Sequence, residues 1–152
     1  MSVEAALAAI AAAADEDLGH LLRRAARAVD GKVAEAIAAT GARNVRPAHG
    51  VVLSNLDADG TRVTTLADRA GMSRQAMSSL VRELEDAGYL RTGPDPADGR
   101  AVRVTLSPDG VDLCRRGATS VRAIEEGWAD VLGPERLADL RASLRALAAT
   151  AG

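Results

Sequence analysis

Between Ser73 and Arg82 the chain carries Ser73, Arg74, Gln75, Ser78, Ser79 and Arg82, with no acidic residue until Glu83. These are the side chains of nucleic-acid recognition. Arginine pairs bidentately with guanine, glutamine with adenine, and serine reaches bases or phosphates. Further on, Arg100 follows Asp98 and Gly99 in a turn-rich segment. An arginine on a projecting tip can enter a narrow minor groove, where the negative potential is strongest. Asp98 is expected to orient Arg100 through an ion pair. Arg91 and Arg103 are expected to reach phosphates from the flanking strands.

Other reactive side chains form no catalytic set. His20, His49 and Cys114 are isolated from one another in sequence, which is not the spacing of a metal-ligand cluster. The chain has no nucleophile elbow, phosphate-binding loop or Cys/His zinc pattern. Asp57-Ala58-Asp59-Gly60 begins like a calcium loop, but the later ligand positions do not follow. No cofactor, metal or enzymatic activity is expected. Cys114 is followed by Arg115 and Arg116, surroundings that can activate a thiol, yet it lies on the apolar stripe of its helix and reads as a packed interface residue. Each histidine reads as a surface or packed residue, with a place in a ligand pocket as the alternative.

The elements that must hold these residues follow from periodicity. Met77, Leu80, Val81 and Leu84 fall at i, i+3, i+4 and i+7, so the helix that carries the polar row buries its opposite face. Ser73 is placed to cap that helix and Gly88 to end it. A short helix, Thr65 to Ala70, precedes it across a turn at Gly71-Met72-Ser73, with Thr65 and Asp68 at capping-box spacing. Tyr89 to Thr92 reads as a short strand. Val102, Val104 and Leu106 alternate with polar residues as a second strand, and Gly93 to Gly99 forms a long polar tip between them. Upstream, Ser2 to Ala14 and Asp17 to Ala39 read as helices, and Pro47 opens another to about Leu56. Downstream, Ser107-Pro108 starts a helix that Gly133-Pro134 separates from a last one bearing Leu137, Leu140, Leu144 and Leu147. A polar row on one helix also fits an ordinary solvated face. The preceding helix and turn and the following hairpin favour DNA binding.

Composition sets bounds on this reading. Hydrophobic residues make up 47% and aromatics only 1%, with no Phe, so the apolar mass is Ala, Leu and Val and leans helical. The formal net charge of −2 gives no global cationic field, but phosphate contact needs only a local one. A helical protein-interaction module without DNA binding is the alternative that this charge favours. A single cysteine suits a reducing cytoplasm. No signal-peptide pattern or membrane-length apolar run is present.

The run from Leu66 to Leu90, LADRAGMSRQAMSSLVRELEDAGYL, resembles the core of MarR-type transcriptional regulators. The segment Pro94 to Gly110, PDPADGRAVRVTLSPDG, is similar to that family's wing and the start of its next helix, and Leu18 to Arg24 resembles its first helix. Val45-Arg46-Pro47 departs from the Ser or Thr cap common in the family. The resemblance implies a mainly α fold with a small β-hairpin wing, a winged helix-turn-helix flanked by N- and C-terminal dimerisation helices. It implies one MarR-type domain over 1–152, with the DNA-binding region at 47–106 and helical dimerisation regions at 1–40 and 107–152. It further implies a homodimeric, cytoplasmic regulator, often a repressor, of a pseudo-palindromic operator in double-stranded DNA. A small-molecule effector would release it. The recognition role falls on Ser73, Arg74, Gln75, Ser78, Ser79 and Arg82, and the wing role on Arg100 supported by Asp98. Dimerisation also follows from the residues themselves: the apolar stripes of the last two helices exceed what a small winged domain covers.

Overall fold

The computed structural model describes residues 2–150, and the side chains of all of these except residues 11–16. Helix α1 spans Val3–Glu16 and α2 Leu18–Ala39; a 3-10 turn at Pro47–His49 leads into the single turn α3, Gly50–Leu53. Strand β1, Thr61–Arg62, runs directly into α4, Val63–Arg69, and α5 follows at Arg74–Asp86. Strands β2, Leu90–Asp95, and β3, Asp98–Leu106, make the hairpin, and the chain closes with α6, Pro108–Leu132, and α7, Pro134–Ala149.

Helix α5 forms as its periodicity requires. Ser73 Oγ accepts from the Ala76 amide at 3.2 Å, and Met77, Leu80, Val81 and Leu84 are all buried. At its end the Tyr89 amide returns to the Leu84 carbonyl at 2.9 Å and the Gly88 amide to that of Glu85 at 2.8 Å, which satisfies the last carbonyls. The α4–α5 turn depends on Gly71 at φ +61°, a left-handed conformation that side chains disfavour.

Three expectations need correction here. Helix α4 begins at Val63 with Arg62 as its N-cap and no side-chain capping bond, so Thr65 lies inside it and the Thr65–Asp68 capping box does not form. Pairing of Thr61 and Arg62 with Val104 and Arg103 sets that start instead. The segment from Pro47 is a 3-10 turn plus one α-helical turn, not a helix to Leu56. The hairpin tip is short: β2 and β3 pair as far as Asp95 and Asp98, with an irregularity at Pro94/Asp95. Pro94 is tolerated because β2 is an edge strand of the order β1-β3-β2.

One carboxylate closes that tip. Asp95, with its side chain 3% exposed, accepts the Ala97 amide at 2.8 Å and the Asp98 amide at 3.1 Å. The same group takes a bidentate pair from Arg62, both bonds at 3.0 Å, and a third contact from Arg103 at 3.4 Å. The wing is thereby tied to β1 and to the start of α4. Arg62 foremost, then the backbone amide of Ala97, holds the Asp95 carboxyl well below the usual carboxylate range.

The core is Val52, Leu66, Ala67, Met77, Leu80, Val81, Leu84, Tyr89, Leu90, Val104 and Leu113. Apart from Leu113 it belongs wholly to the segment from α3 to β3. Gly110, buried near the start of α6, allows that helix to lie directly on the Tyr89 carbonyl, so a Cβ there would overlap it. Helices α2 and α7 bury no residue. Val3, Leu7 and Ile10 on α1, Val121 and Val131 on α6, and Leu140, Leu144 and Leu147 on α7 are all exposed.

Two outcomes are expected. Gly110→Ala should destabilise by about 1–3 kcal/mol through overpacking, read by thermal or denaturant unfolding. Asp95→Asn should lower the melting temperature and speed amide exchange in β2 and β3. A depressed carboxylate contributes its stability above its unfolded pKa and loses it as pH falls through the folded value. The melting difference between wild type and Asp95→Asn should therefore be full above about pH 5 and shrink on acidification below about pH 4. A difference that grows in acid would contradict this role.

Candidate nucleic-acid interface

Helix α5 and the hairpin face each other across a groove of about 420 Å³. Arg74, Ser78 and Arg82 line it from α5, Arg100 from β3 and Arg62 from the start of α4. The groove thus brings three of the sequence-derived recognition residues together with the wing arginine. Ser73, Gln75 and Ser79 are exposed on the same helix but do not line it. Ser73 acts in addition as the cap. Among the described residues no carboxylate pairs with the guanidinium of Arg74, Arg82 or Arg100. Glu85 also lines the groove, but its Oε1 accepts both the amide and the hydroxyl of Thr92, at 2.8 and 2.6 Å, and so ties α5 to β2.

The wing residues differ from expectation in two respects. Asp98 makes no ion pair with Arg100; its Oδ1 accepts the Arg100 backbone amide at 3.2 Å. The bond shapes the strand after the tip and leaves the guanidinium uncommitted. Arg103 is only half exposed and is engaged. It donates to the Asp59 carbonyl at 3.0 Å and carboxylate at 2.8 Å, as well as to Asp95. Its geometry is that of a brace between the β1 turn and the wing. Arg91 is exposed.

Sequence reasoning passed over a second cluster, at Glu83, whose Oε1 also accepts from Ser79 Oγ at 3.4 Å. Glu83 Oε2 accepts from Arg46 Nε at 3.0 Å and Nη2 at 2.8 Å, while Oε1 lies 3.0 Å from Nη2. His49, with its side chain 1% exposed, sits between them. Its Nδ1 accepts the Arg46 amide at 3.2 Å, and Nε2 lies 3.0 Å from Glu83 Oε2. A backbone amide can only donate, so the ring proton is on Nε2 and points at Glu83. Arg46 first and His49 second hold the Glu83 carboxyl below its usual range. The signal in the sequence was the departure at Arg46, where a capping hydroxyl was expected. His20 is half-buried on α2.

Beside this cluster lies an apolar cavity of about 350 Å³ between α2, the 3-10 turn with α3, and α6. Val33, Ile37, Leu53, Leu113, Val121 and Ile124 supply most of its wall. Cys114 also lines it, and burial pushes the thiol up, away from the reactive thiolate. The described residues contain no group of metal-ligating side chains and no helix long and apolar enough to cross a membrane.

The sequence model of the MarR family matches residues 44–101, from just before the 3-10 turn into β3 of the wing. The HTH-type transcriptional repressor Rv2887 of Mycobacterium tuberculosis is 30% identical over 111 residues, covering 73% of this chain and 78% of that protein. The transcriptional repressor CouR, solved on a 23-mer DNA duplex, superposes with a TM-score of 0.78 at 26% identity over 88% of this chain and 94% of that one. CouR from Rhodococcus jostii RHA1 bound to p-coumaroyl-CoA gives a TM-score of 0.73 at 26% identity, over 89% and 94%. These are DNA-binding regulators, not interaction modules on a borrowed fold. With a regulator of this identity matched over most of both chains, and the family model lying on the helix-turn-helix and wing, this chain belongs to the MarR family of winged helix-turn-helix DNA-binding transcriptional regulators.

Proposed function

We propose that this protein is a homodimeric repressor that reads a pseudo-palindromic operator with α5 and anchors it with the wing, and that a small apolar molecule in the α2–α6 cavity releases it. The observation that carries the DNA-reading part is the shared groove: Arg74, Arg82 and Arg100 border it, and among the described residues no carboxylate pairs with any of them. In the proposed complex Arg74 and Gln75 read base edges in the major groove, with Ser78, Ser79 and Arg82 adding base or phosphate contacts. Ser73 keeps the helix N-terminus formed, with its free amides toward phosphate. Arg100 enters the adjacent minor groove. Asp98 and Arg103 shape and brace the wing rather than contact DNA freely.

The functional units follow the same division, with 47–106 as the DNA-binding region of a single domain and 1–40 and 107–152 as the dimerisation region. Support for a dimer comes from α1, α2, α6 and α7, whose apolar side chains a single chain leaves exposed. Contiguous apolar surface of this kind marks an interface. Support for an effector comes from the cavity, which is apolar and of a size that suits a small organic molecule. CouR provides the parallel of a repressor solved both on DNA and with a ligand.

DNA from upstream of its own gene provides the first test, by fluorescence anisotropy across salt concentrations. Arg74→Ala or Gln75→Ala should cost about 1–3 kcal/mol on the preferred site and relax base preference. Arg100→Ala should weaken all sequences evenly and reduce the salt slope by about 1. Unchanged tight binding by the Arg74→Ala/Arg100→Ala double variant would overturn these roles. For the dimer, Leu140→Glu/Leu144→Glu should give monomers in sedimentation analysis and lose operator binding. A wild-type monomer that still binds tightly would reject the dimer.

A further inference from the structure

Ser79 sits on the exposed polar row of α5, one helical turn before Glu83, and its Oγ donates to Glu83 Oε1 at 3.4 Å. That carboxylate is fixed from its other side. Arg46 donates to both of its oxygens, and His49 Nε2 lies against Oε2. We propose that Glu83 is a positioning residue that sets the hydrogen-bond polarity of Ser79, so that Ser79 meets DNA as an acceptor and selects a base carrying an exocyclic amino group, adenine or cytosine. This rests on the DNA-reading assignment of α5 above and specifies what one of its side chains reads.

The polarity follows from counting protons. A serine hydroxyl has one proton to donate and two lone pairs to accept with, and an ionised carboxylate can only accept. Arg46 first, then His49, holds the Glu83 carboxyl below its usual range, so it stays ionised at neutral pH. The Ser79 proton therefore goes to Glu83, and lone pairs are what remain for DNA. In the major groove adenine N6 and cytosine N4 donate, whereas guanine O6 and N7 and thymine O4 only accept. Phosphate oxygens only accept as well, so the arrangement directs Ser79 to a base and away from the backbone. At 3.4 Å the bond to Glu83 is long. Docked DNA excludes water from this row, and the pull of the carboxylate on the proton strengthens in the lower dielectric. Ser73 has the reverse arrangement: its Oγ accepts from the Ala76 amide, and its proton is left for an acceptor such as phosphate. Two serines on one helix thus present opposite polarity to DNA, and the carboxylate at Glu83 makes the difference.

The test uses the full-length protein and a random-sequence duplex library, with bound sequences counted after selection. At one position of each half-site the wild type should favour adenine or cytosine on the contacted strand over guanine or thymine, and Ser79→Ala should lose that preference while keeping the others. Replacing the favoured base by its analogue without the amino group, deoxynebularine for adenine or 2-pyrimidinone deoxyriboside for cytosine, should weaken the wild type about fivefold, in the range of one hydrogen bond, relative to its effect on Ser79→Ala. Glu83→Gln must keep its amide oxygen on Arg46 and His49, which turns its NH2 toward Ser79 and releases the hydroxyl proton. That variant should no longer favour adenine or cytosine at this position, a change of base preference that a merely structural role would not produce. Should Glu83→Gln fail to fold, as read by thermal unfolding, the analogue comparison between wild type and Ser79→Ala decides alone. The proposal is overturned if Ser79→Ala weakens all sequences evenly or changes nothing, if the position favours guanine or thymine, or if folded Glu83→Gln keeps the wild-type preference. The DNA-reading assignment fails separately, if the wild type enriches no sequence at all.

Discussion

Glu83, Asp95, Glu85 and Asp57 each accept hydrogen bonds from an element other than their own: the 3-10 turn, the start of α4, β2 and the end of α4. Their partners include Arg46, Arg62 and Arg69, and Arg103 is braced by Asp95 and Asp59. Arg46, Arg62, Arg69 and Arg103 are therefore neutralised in place, whereas among the described residues no carboxylate pairs with Arg74, Arg82 or Arg100 on the α5–wing groove. This sorting lets a chain of net charge −2 present a locally cationic groove. Exposed ion pairs contribute little stability individually. What bidentate pairs supply is direction, and here the direction is the angle between α5, the wing and the body.

The apolar core sets a different limit. Without Phe, and with aromatics at 1%, the interior is built from Leu, Met, Val and Ala and closes around one small module. Tyr89 is the aromatic side chain in that core, and it serves several elements. Its hydroxyl accepts the Arg43 amide at 3.2 Å, its carbonyl accepts the Ser107 amide at 3.0 Å, and α6 rests on it at Gly110. A smaller residue would leave the end of α2 without that anchor. The module meets α6 at Tyr89 against Gly110 and through Leu113 in the core, while Glu83 ties α5 to the 3-10 turn through Arg46 and His49.

Much of this was legible in the sequence wherever a period or a cap repeats. The α5 stripe, its Ser73 cap and its stop at Gly88 fold as read; β3 forms as a strand, but of its apolar row Val104 is buried while Val102 stays exposed. What was not legible has a physical reason in each case. Two residues at Thr61–Arg62 are too few to show a period, so β1 and the true start of α4 were missed. Polar residues around the tip suggested a long loop, but Asp95 satisfies the turn amides itself and lets pairing continue. Arg103 looked like its neighbour Arg100, and only the fold reveals that Asp59 and Asp95 hold it. His49 and Glu83 are 34 residues apart, and no local pattern signals a contact at that separation.

The remaining question is what the long helices do with apolar side chains that nothing in one chain covers. Exposed area of this kind is unfavourable by about 25 cal/mol per Å², and in the proposed dimer a second copy covers α1, α6 and α7 symmetrically. In the proposed dimer these helices set the distance between the two α5 helices, which must match about one DNA turn, roughly 34–36 Å. Reading and spacing are then separate properties of separate parts. The groove residues decide which bases are preferred, and the joint between module and body decides whether both copies reach them together. The cavity, Arg46 and Glu83 lie at that joint. In the proposed dimer a change there would alter DNA affinity without altering a groove side chain, because two correctly formed recognition helices at the wrong separation cannot both dock.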